Sequence, residues 1–251
     1  MISHPLALRA LSFATVFGAW EYAGRSGVSA GFPSFSETMV AAGEMIADGS
    51  LPRAVLITLQ PLVIGVIVSA LVGISSGVAM GLSRRAEWIG LPLFIVMQAA
   101  PLAALIPLLV LAYGVNLTSK VLTVCILAMP VIVLNSFKAI RHAPASLVEM
   151  GRSFQGARWQ IIAKIMLPAA SPIIFAGLRL GLAAGFIGAI LAELLISPTG
   201  IGDLITYHQS IADYPRMFAA IAAVILLSVL FIELLDRVEV VLFRPERRKR
   251  A

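Results

Sequence analysis

The feature that most constrains this chain is a set of six apolar stretches, roughly residues 6–23, 57–82, 89–113, 121–137, 172–196 and 217–235. Crossing about 30 Å of hydrocarbon takes about 20 helical residues, and these stretches are of that order. In lipid a segment satisfies its own backbone hydrogen bonds, so each stretch is expected as a helix. Composition agrees. Of 251 residues, 59% are hydrophobic and 13% charged, about half the charged share of a soluble domain. The expectation is an all-α polytopic membrane protein with six transmembrane helices, forming a single transmembrane domain over 1–251. The fourth span is the shortest. The first has Arg9 ahead of an apolar run, as a signal peptide does, but no small-x-small cleavage site follows, so a retained helix is expected.

The basic residues orient the spans. With the N-terminus in the cytoplasm, only Arg25, Arg53, Lys120 and Arg216 fall outside, and Arg179 lies near the inner end of the fifth span. Every other Lys and Arg falls inside. The positive-inside rule then places both termini and the loop 138–171 in the cytoplasm. The net charge of +6 therefore reports membrane orientation, and no nucleic-acid partner is expected. The tail, with Arg244, Arg247, Arg248, Lys249 and Arg250, reads as an anchor on the acidic inner leaflet of the lipid. Cys125, alone in an apolar run, excludes a disulfide within the chain.

Inside the spans, small residues recur at steps of four. Ser69, Gly73, Gly77 and Gly81 do so in the second span, and Gly177, Gly181 and Gly185 in the fifth. Such seams let helix backbones approach closely in a membrane. The third span holds Pro92, Pro101 and Pro107, which remove backbone donors and bend a helix. Gln98, one turn before Pro101, is a rare polar side chain deep in a span. Gln98 and Pro101 are candidates for the transport pathway. Intramembrane charges are costly and often functional. Glu193, near the outer end of the fifth span, reads as a brace or as part of an outer gate, and Arg179 as a residue that snorkels to the interface. In the outer loop between the first two spans, 35–47 looks helical and Asp48-Gly49-Ser50 reads as a turn. That loop is either a cap over helix ends or a contact for an outside partner.

The longest polar interruption is SLVEMGRSFQGARWQIIAKIMLP, residues 146–168. Ser146 with Glu149 has the spacing of a capping box. Leu147, Met150 and Phe154 then fall on one helical face, with Glu149 and Arg152 at its polar edge. Gly156 is placed to end the helix in a left-handed conformation. A second helix over 158–166 carries Trp159 and Ile162 on one side, and Pro168 closes it.

Several chemistries are missing from the sequence. No G-x-x-x-x-G-K-[ST] run exists to cradle ATP phosphates. No H-E-x-x-H zinc run appears, and Asp203, His208 and Asp213 lack metal-ligand spacing, so no metal site is expected. No serine–histidine pair is positioned for nucleophilic catalysis. The chain is not expected to be an enzyme or to hold a cofactor.

Glu149-Met150-Gly151 followed by Ile165-Met166-Leu167-Pro168 resembles the EAA loop of bacterial ABC importer permeases. The motif's second and third alanines are replaced by Met150 and Gly151. The family's loop glycine falls on Gln155, with the glycine here one residue later at Gly156. Pro101-Leu102-Ala103-Ala104 with Pro107 and Gly114, Gly177-Leu178-Arg179, Ala192-Glu193 and Gly200-Ile201-Gly202 resemble the sulfonate/taurine/nitrate branch. The resemblance implies a type I ABC importer-like permease in the bacterial inner membrane. Its coupling helix, with Leu147, Glu149, Met150, Gly151, Arg152, Phe154, Gln155 and Gly156, would dock on an ATPase. The implied partners are two ABC ATPase subunits carrying ATP and Mg, a second copy of the permease in a homodimer, and an extracytoplasmic solute-binding protein. The implied substrate is a small organic anion such as a sulfonate or taurine, with nitrate, riboflavin-like compounds and pyrimidine precursors as further candidates. An ion-coupled secondary carrier and a membrane enzyme or assembly factor are the competing classes.

Overall fold

The protein is known here from a computed structural model that describes residues 5–27 and 29–243. All regular structure among them is helical: α1 Pro5–Arg25, α2 Phe35–Ala47, α3 Ser50–Leu82, α4 Arg84–Ala99, α5 Leu102–Tyr113, α6 Leu117–Arg141, α7 Ala145–Ser153, α8 Arg158–Ile161, a π-helical turn Ile162–Met166, α9 Leu167–Leu195, α10 Gly200–Ser210 and α11 Tyr214–Phe243. The basic tail from Arg244 onward lies outside the described residues. The chain divides into two compact units, one drawn from Met1–Thr58 and Pro198–Ile225, the other from Leu59–Ser197 and Leu226–Ala251.

The second unit is built around α6. A Cβ on Gly65 of α3 would lie 2.6 Å from Val124 Cγ1. On Gly73 it would lie 2.9 Å from Ile132 Cγ2, on Gly77 2.6 Å from the Val133 carbonyl oxygen, and on Gly81 2.6 Å from Ile140 Cβ. The opposing positions 124, 132, 136 and 140 also run at multiples of four, so glycine grooves of α3 receive a ridge of α6. From α9, Gly177 abuts Asn135, Gly181 abuts Ile132, Gly185 faces Val66 and Val124, and Gly188 lies against the Val124 backbone. Atoms at these separations leave no room for a larger side chain, and dispersion at close approach replaces the hydrophobic drive that lipid cannot supply. At one end of the pair, Ala139 and Ile140 of α6 pack with Ala170 and Ile174 of α9.

Among the described residues, four helices are long and apolar enough to cross a bilayer: Ser50–Leu82, Leu117–Arg141, the continuous Arg158–Leu195, and Tyr214–Val241. A fifth span results if α4 and α5 are counted as one broken helix. The count of six rests on α1, a helix of 21 residues that is diluted by Arg9 and Glu21 and does not reach the same apolar length. The span expected over 89–113 is two helices turned by 107°. Of its three prolines only Pro101 stands at the break, as the N-cap of α5, whereas Pro92 and Pro107 are absorbed within helices. The fourth span is longer than its apolar run because Asn116 caps its start, accepting from the Ser119 N–H at 3.2 Å, and polar residues continue it to Arg141.

Pro168 does not close the helix before it. The Leu167 N–H bonds back five residues to Ile162. This π-turn shifts the hydrogen-bond register at the place where proline offers no donor, and α8 runs through into α9. The expected loop 138–171 is therefore largely helical, with its last part a direct extension of the span.

In the first unit, α2 begins at a complete capping box. The Glu37 N–H donates to Ser34 Oγ at 3.3 Å, and the Ser34 N–H to Glu37 Oε2 at 2.9 Å. Its inward face packs Ala41 and Met45 with Leu51 and Ala219. Trp20 of α1 sits among Phe32, Phe35 and Phe218 and donates to the Pro33 carbonyl at 3.1 Å. Asp48-Gly49-Ser50 turns the chain into α3. Asp48 accepts the Ser50 N–H at 2.8 Å, and Gly49 adopts φ +78°.

Candidate functional site

The candidate site is α7 with α8 and the π-turn. The Leu147 and Val148 N–H groups bond to the Pro144 carbonyl, so α7 starts at Ala145 with Pro144 as N-cap. This corrects the expected capping box of Ser146 and Glu149. Pro144 starts the helix two residues before the position at which Ser146 would cap it.

The exit from α7 also departs from expectation. The left-handed residue is Gln155, at φ +55°, not Gly156. The Gly156 N–H closes a wide turn onto the Gly151 carbonyl at 3.0 Å. A Cβ on Gly156 would lie 2.9 Å from that oxygen. Two requirements thus meet in this turn, a left-handed backbone at 155 and a close approach at 156. The glycine serves the second, and Gln155 bears the strain of the first.

Gly151 is the one buried residue of α7. A Cβ there would lie 2.6 Å from Ile165 Cδ1 and 3.3 Å from Ile161 Cγ1. The notch at Gly151 seats α7 directly on the helical extension of α9. Leu147, Met150 and Phe154 remain exposed, Phe154 to 81%. Trp159, at the start of α8, is 63% exposed. Glu149, Arg152 and Gln155 are exposed around them. Four large apolar side chains are thus exposed close together on this short stretch.

The pathway candidates do not share one environment. Gln98 and Pro101 are exposed, whereas Glu193 is 1% exposed in α9. Beside Glu193, Ile106 of α5 packs on Ala192 and Ile196. Lys120, buried at the start of α6, donates from Nζ to the Ser197 carbonyl at 3.4 Å. Lys120 was legible only as an outer charge. Arg179, read from the sequence as snorkelling, has carboxylate partners. Its guanidinium pairs with Asp236, and with Glu239 at 2.7 Å, so α9 is pinned to α11 by two carboxylates spaced i, i+3. That spacing was present in the sequence, but Arg179's partner helix was not. In the first unit His208 faces Asp213 at 3.3 Å, and among the described residues no group of three His, Cys, Asp or Glu is placed to hold a metal.

A chain whose described residues form four or five bilayer-length helices, three of them close-packed through glycine seams, is a multi-pass membrane protein. Its residues 65–243 match the family of binding-protein-dependent transport system inner membrane components, and the chain belongs to that family. It is 35% identical over 155 residues to the riboflavin transport system permease protein RibX of Chloroflexus aurantiacus, covering 62% of this chain and 58% of RibX. It is 30% identical over 229 residues to a Bacillus subtilis protein named as an aliphatic sulfonates transport permease, SsuC, covering 89% of this chain and 83% of that one. To the taurine transport system permease protein TauC of Escherichia coli it is 25% identical over 191 residues, covering 76% and 68%.

Proposed function

We propose that the chain is the membrane subunit of a type I ABC importer in the inner membrane, working as one transmembrane domain of six spans: α1, α3, the broken pair α4–α5, α6, α8–α9 and α11. Two copies form the pathway. Two ABC ATPase subunits bind ATP and Mg on the cytoplasmic side, and an external solute-binding protein delivers the substrate. The excess of Lys and Arg in 84–85, 138–164 and 237–250 supports cytoplasmic termini. A cysteine at Ser146 is then labelled only from the cytoplasmic side.

The observation that carries the reading is the seating of α7. An amphipathic helix with Leu147, Met150 and Phe154 exposed is suited to a groove in a partner, and Gly151 joins it without slack to the extension of α9. Closing of the ATPases on ATP would displace α7, and the continuous helix would pass the displacement into the span. The family match over residues 65–243 gives no support to an ion-coupled carrier. Conformational coupling of this kind needs contacts that differ between the two states. Gln98, Pro101 and Glu193 are the side chains proposed to line or gate the path.

The substrate is proposed as a small organic anion of the sulfonate or taurine class, on the breadth of the match to SsuC and TauC. The identity to RibX favours a second reading, a flavin. Proteoliposomes holding the permease, its ATPase and its binding protein should take up labelled substrate only with ATP. Uptake by the purified permease alone would end the proposal. Ligand-induced melting shifts of the binding protein separate sulfonate from flavin.

A further inference from the structure

In the second unit, side chains of α9 and α11 meet at two places. Toward the C-terminal end of α9 the rings of Phe186 and Phe231 meet edge to face, with centroids 5.9 Å apart. Nearer its start the Arg179 guanidinium holds Asp236 and, at 2.7 Å, Glu239. Arg179 and Phe186 are two helical turns apart, a rise of about 10 Å. Between these contacts lies a slot of about 140 Å³. Its floor is the buried Leu62 of α3 and Leu182 of α9, and Val66, Ile67, Leu234 and Leu235 stand along its sides. Every residue that lines it is apolar. Phe231 of the ring pair closes one end. Leu182 follows Arg179 at i+3 and Glu239 follows Leu235 at i+4, so the ion cluster borders the other end.

A cavity of about 150 Å³ with such walls stays dry and accepts a molecule the size of benzene, so this slot takes a run of about six methylenes. A chain that fills it restores the dispersion contacts that the walls otherwise lack on one side. The charge at its end sets it apart from an ordinary lipid-facing groove. Two arginines, Arg179 and Arg237, are paired with three carboxylates, Glu233, Asp236 and Glu239. One negative charge is in excess, and the Asp236 side chain is half exposed. Asp236 also stands where the apolar run 217–235 of α11 ends, the depth at which a headgroup lies. An anionic headgroup is repelled there. An ammonium group supplies the missing cation and makes a charge-assisted hydrogen bond. A second protein helix laid on this face would have to bury Asp236 and the Glu233–Arg237 pair, at the cost of desolvating them.

We propose that the slot between α3, α9 and α11 binds one phospholipid with a primary amine in its headgroup. An acyl chain lies along Leu182 and Leu235, between the ring pair and the ion cluster, and the ammonium donates to the Asp236 carboxylate. On the topology proposed above, the lipid belongs to the inner leaflet. The site needs only that the chain spans a bilayer, and it stands apart from the importer reading.

The test titrates the purified, delipidated chain in detergent with phosphatidylethanolamine or phosphatidylglycerol carrying the same oleoyl chains, and counts bound lipid by native mass spectrometry. Wild type should hold one ethanolamine lipid and prefer it over the glycerol lipid about tenfold, the order expected of one charge-assisted hydrogen bond. Asp236→Asn keeps an acceptor for Arg179 and removes the excess charge, so the preference should vanish while a lipid is still held. Leu182→Trp grows into the slot from its floor and should weaken the binding of both lipids about tenfold. Leu235→Phe fills the slot from its side and should act in the same direction, which keeps the test intact if Leu182→Trp fails to fold. Equal binding of the two lipids by wild type, or a preference that survives Asp236→Asn, overturns the amine site. Lipid binding unchanged by the slot-filling variants overturns the slot. So do Leu234→Cys copies that cross-link to one another with no lipid retained, because the slot then belongs to a second copy of the chain. Each of these failures leaves the importer reading standing, since that reading is tested by ATP-dependent uptake.

Discussion

The short helices α2 and α7 are both amphipathic and both expose large apolar side chains, yet they are held in opposite ways. α2 is self-sufficient. It has a reciprocal cap at Ser34 and Glu37, three buried residues on its inward face and an ion pair from Glu44 to Arg216. α7 has no side-chain cap at its start, ends on a non-glycine residue at positive φ and buries Gly151 alone. A helix of nine residues is marginal without tertiary support. The contrast teaches that α2 is a fixed platform, whereas α7 depends on the seat beneath it and on whatever covers its outer face.

The most damaging way to test this contrast is to fill the seat. In Gly151→Leu the new side chain meets Ile165 and Ile161 where even a Cβ comes within 2.6 Å. Overpacking of this kind costs about 1–3 kcal/mol, comparable to the stability of so short a helix. ATP-driven uptake should fall more than about tenfold, while the α3–α6–α9 core keeps its melting temperature. Normal uptake would mean that the Gly151 notch transmits nothing. A smaller loss is expected from Phe154→Asp or Glu149→Lys, which alter the outer face and leave the seat intact. Each should release the ATPase on co-purification without changing helix content, and retention of the ATPase would argue that α7 meets lipid instead.

How much of this was legible in the sequence follows the same divide. The bounds of α2 could be read directly, because Ser34, Glu37 and the turn Asp48-Gly49-Ser50 act locally through their own side chains. The glycine steps in α3 and α9 marked close-packed faces, and Gly65 and Gly188 extend them. Nothing in the spacing said that both faces meet α6, whose own seam is made of Val124, Ile132 and Ser136 instead of glycine. The passage through Pro168 was hidden because proline ordinarily ends a helix, and only a change of register to i−5 lets this one continue. The turn after α7 was misread because a single glycine was asked to meet two needs that the backbone assigns to neighbouring residues.

That misreading yields a stabilising change. A non-glycine residue in the left-handed region costs about 1 kcal/mol, so Gln155→Gly should stabilise the turn by about that amount. The effect should appear as slower amide exchange over residues 153–157. Ala212, the other non-glycine residue with positive φ among those described, at +57°, supplies the control. Ala212→Gly should stabilise the turn into α11 by a similar amount and leave exchange in α7 untouched. If Gln155→Gly loosens the turn, the glutamine side chain holds it in a way its backbone does not reveal.

The smallest effect expected is on α2 and comes from pH. The Ser34 backbone N–H and hydroxyl hold the Glu37 carboxyl below its ordinary value, and the Ser50 side chain and N–H do the same for Asp48. Both carboxyls have folded pKa values lower than their unfolded ones. Their contribution is therefore complete above the ordinary carboxylate range, near pH 4, and is lost as pH falls through the lower folded values. α7 begins without a carboxylate cap. Mild acidification from pH 7 to pH 5 should leave exchange at both ends of α2 unchanged, with fraying below about pH 4. Glu37→Gln keeps a side-chain acceptor for the Ser34 N–H and removes the charge, so it should flatten the dependence at the N-terminal end alone. Fraying of α2 already at pH 5–6 would show that the box is weaker than its geometry implies and that the platform, like α7, needs a partner to stay formed.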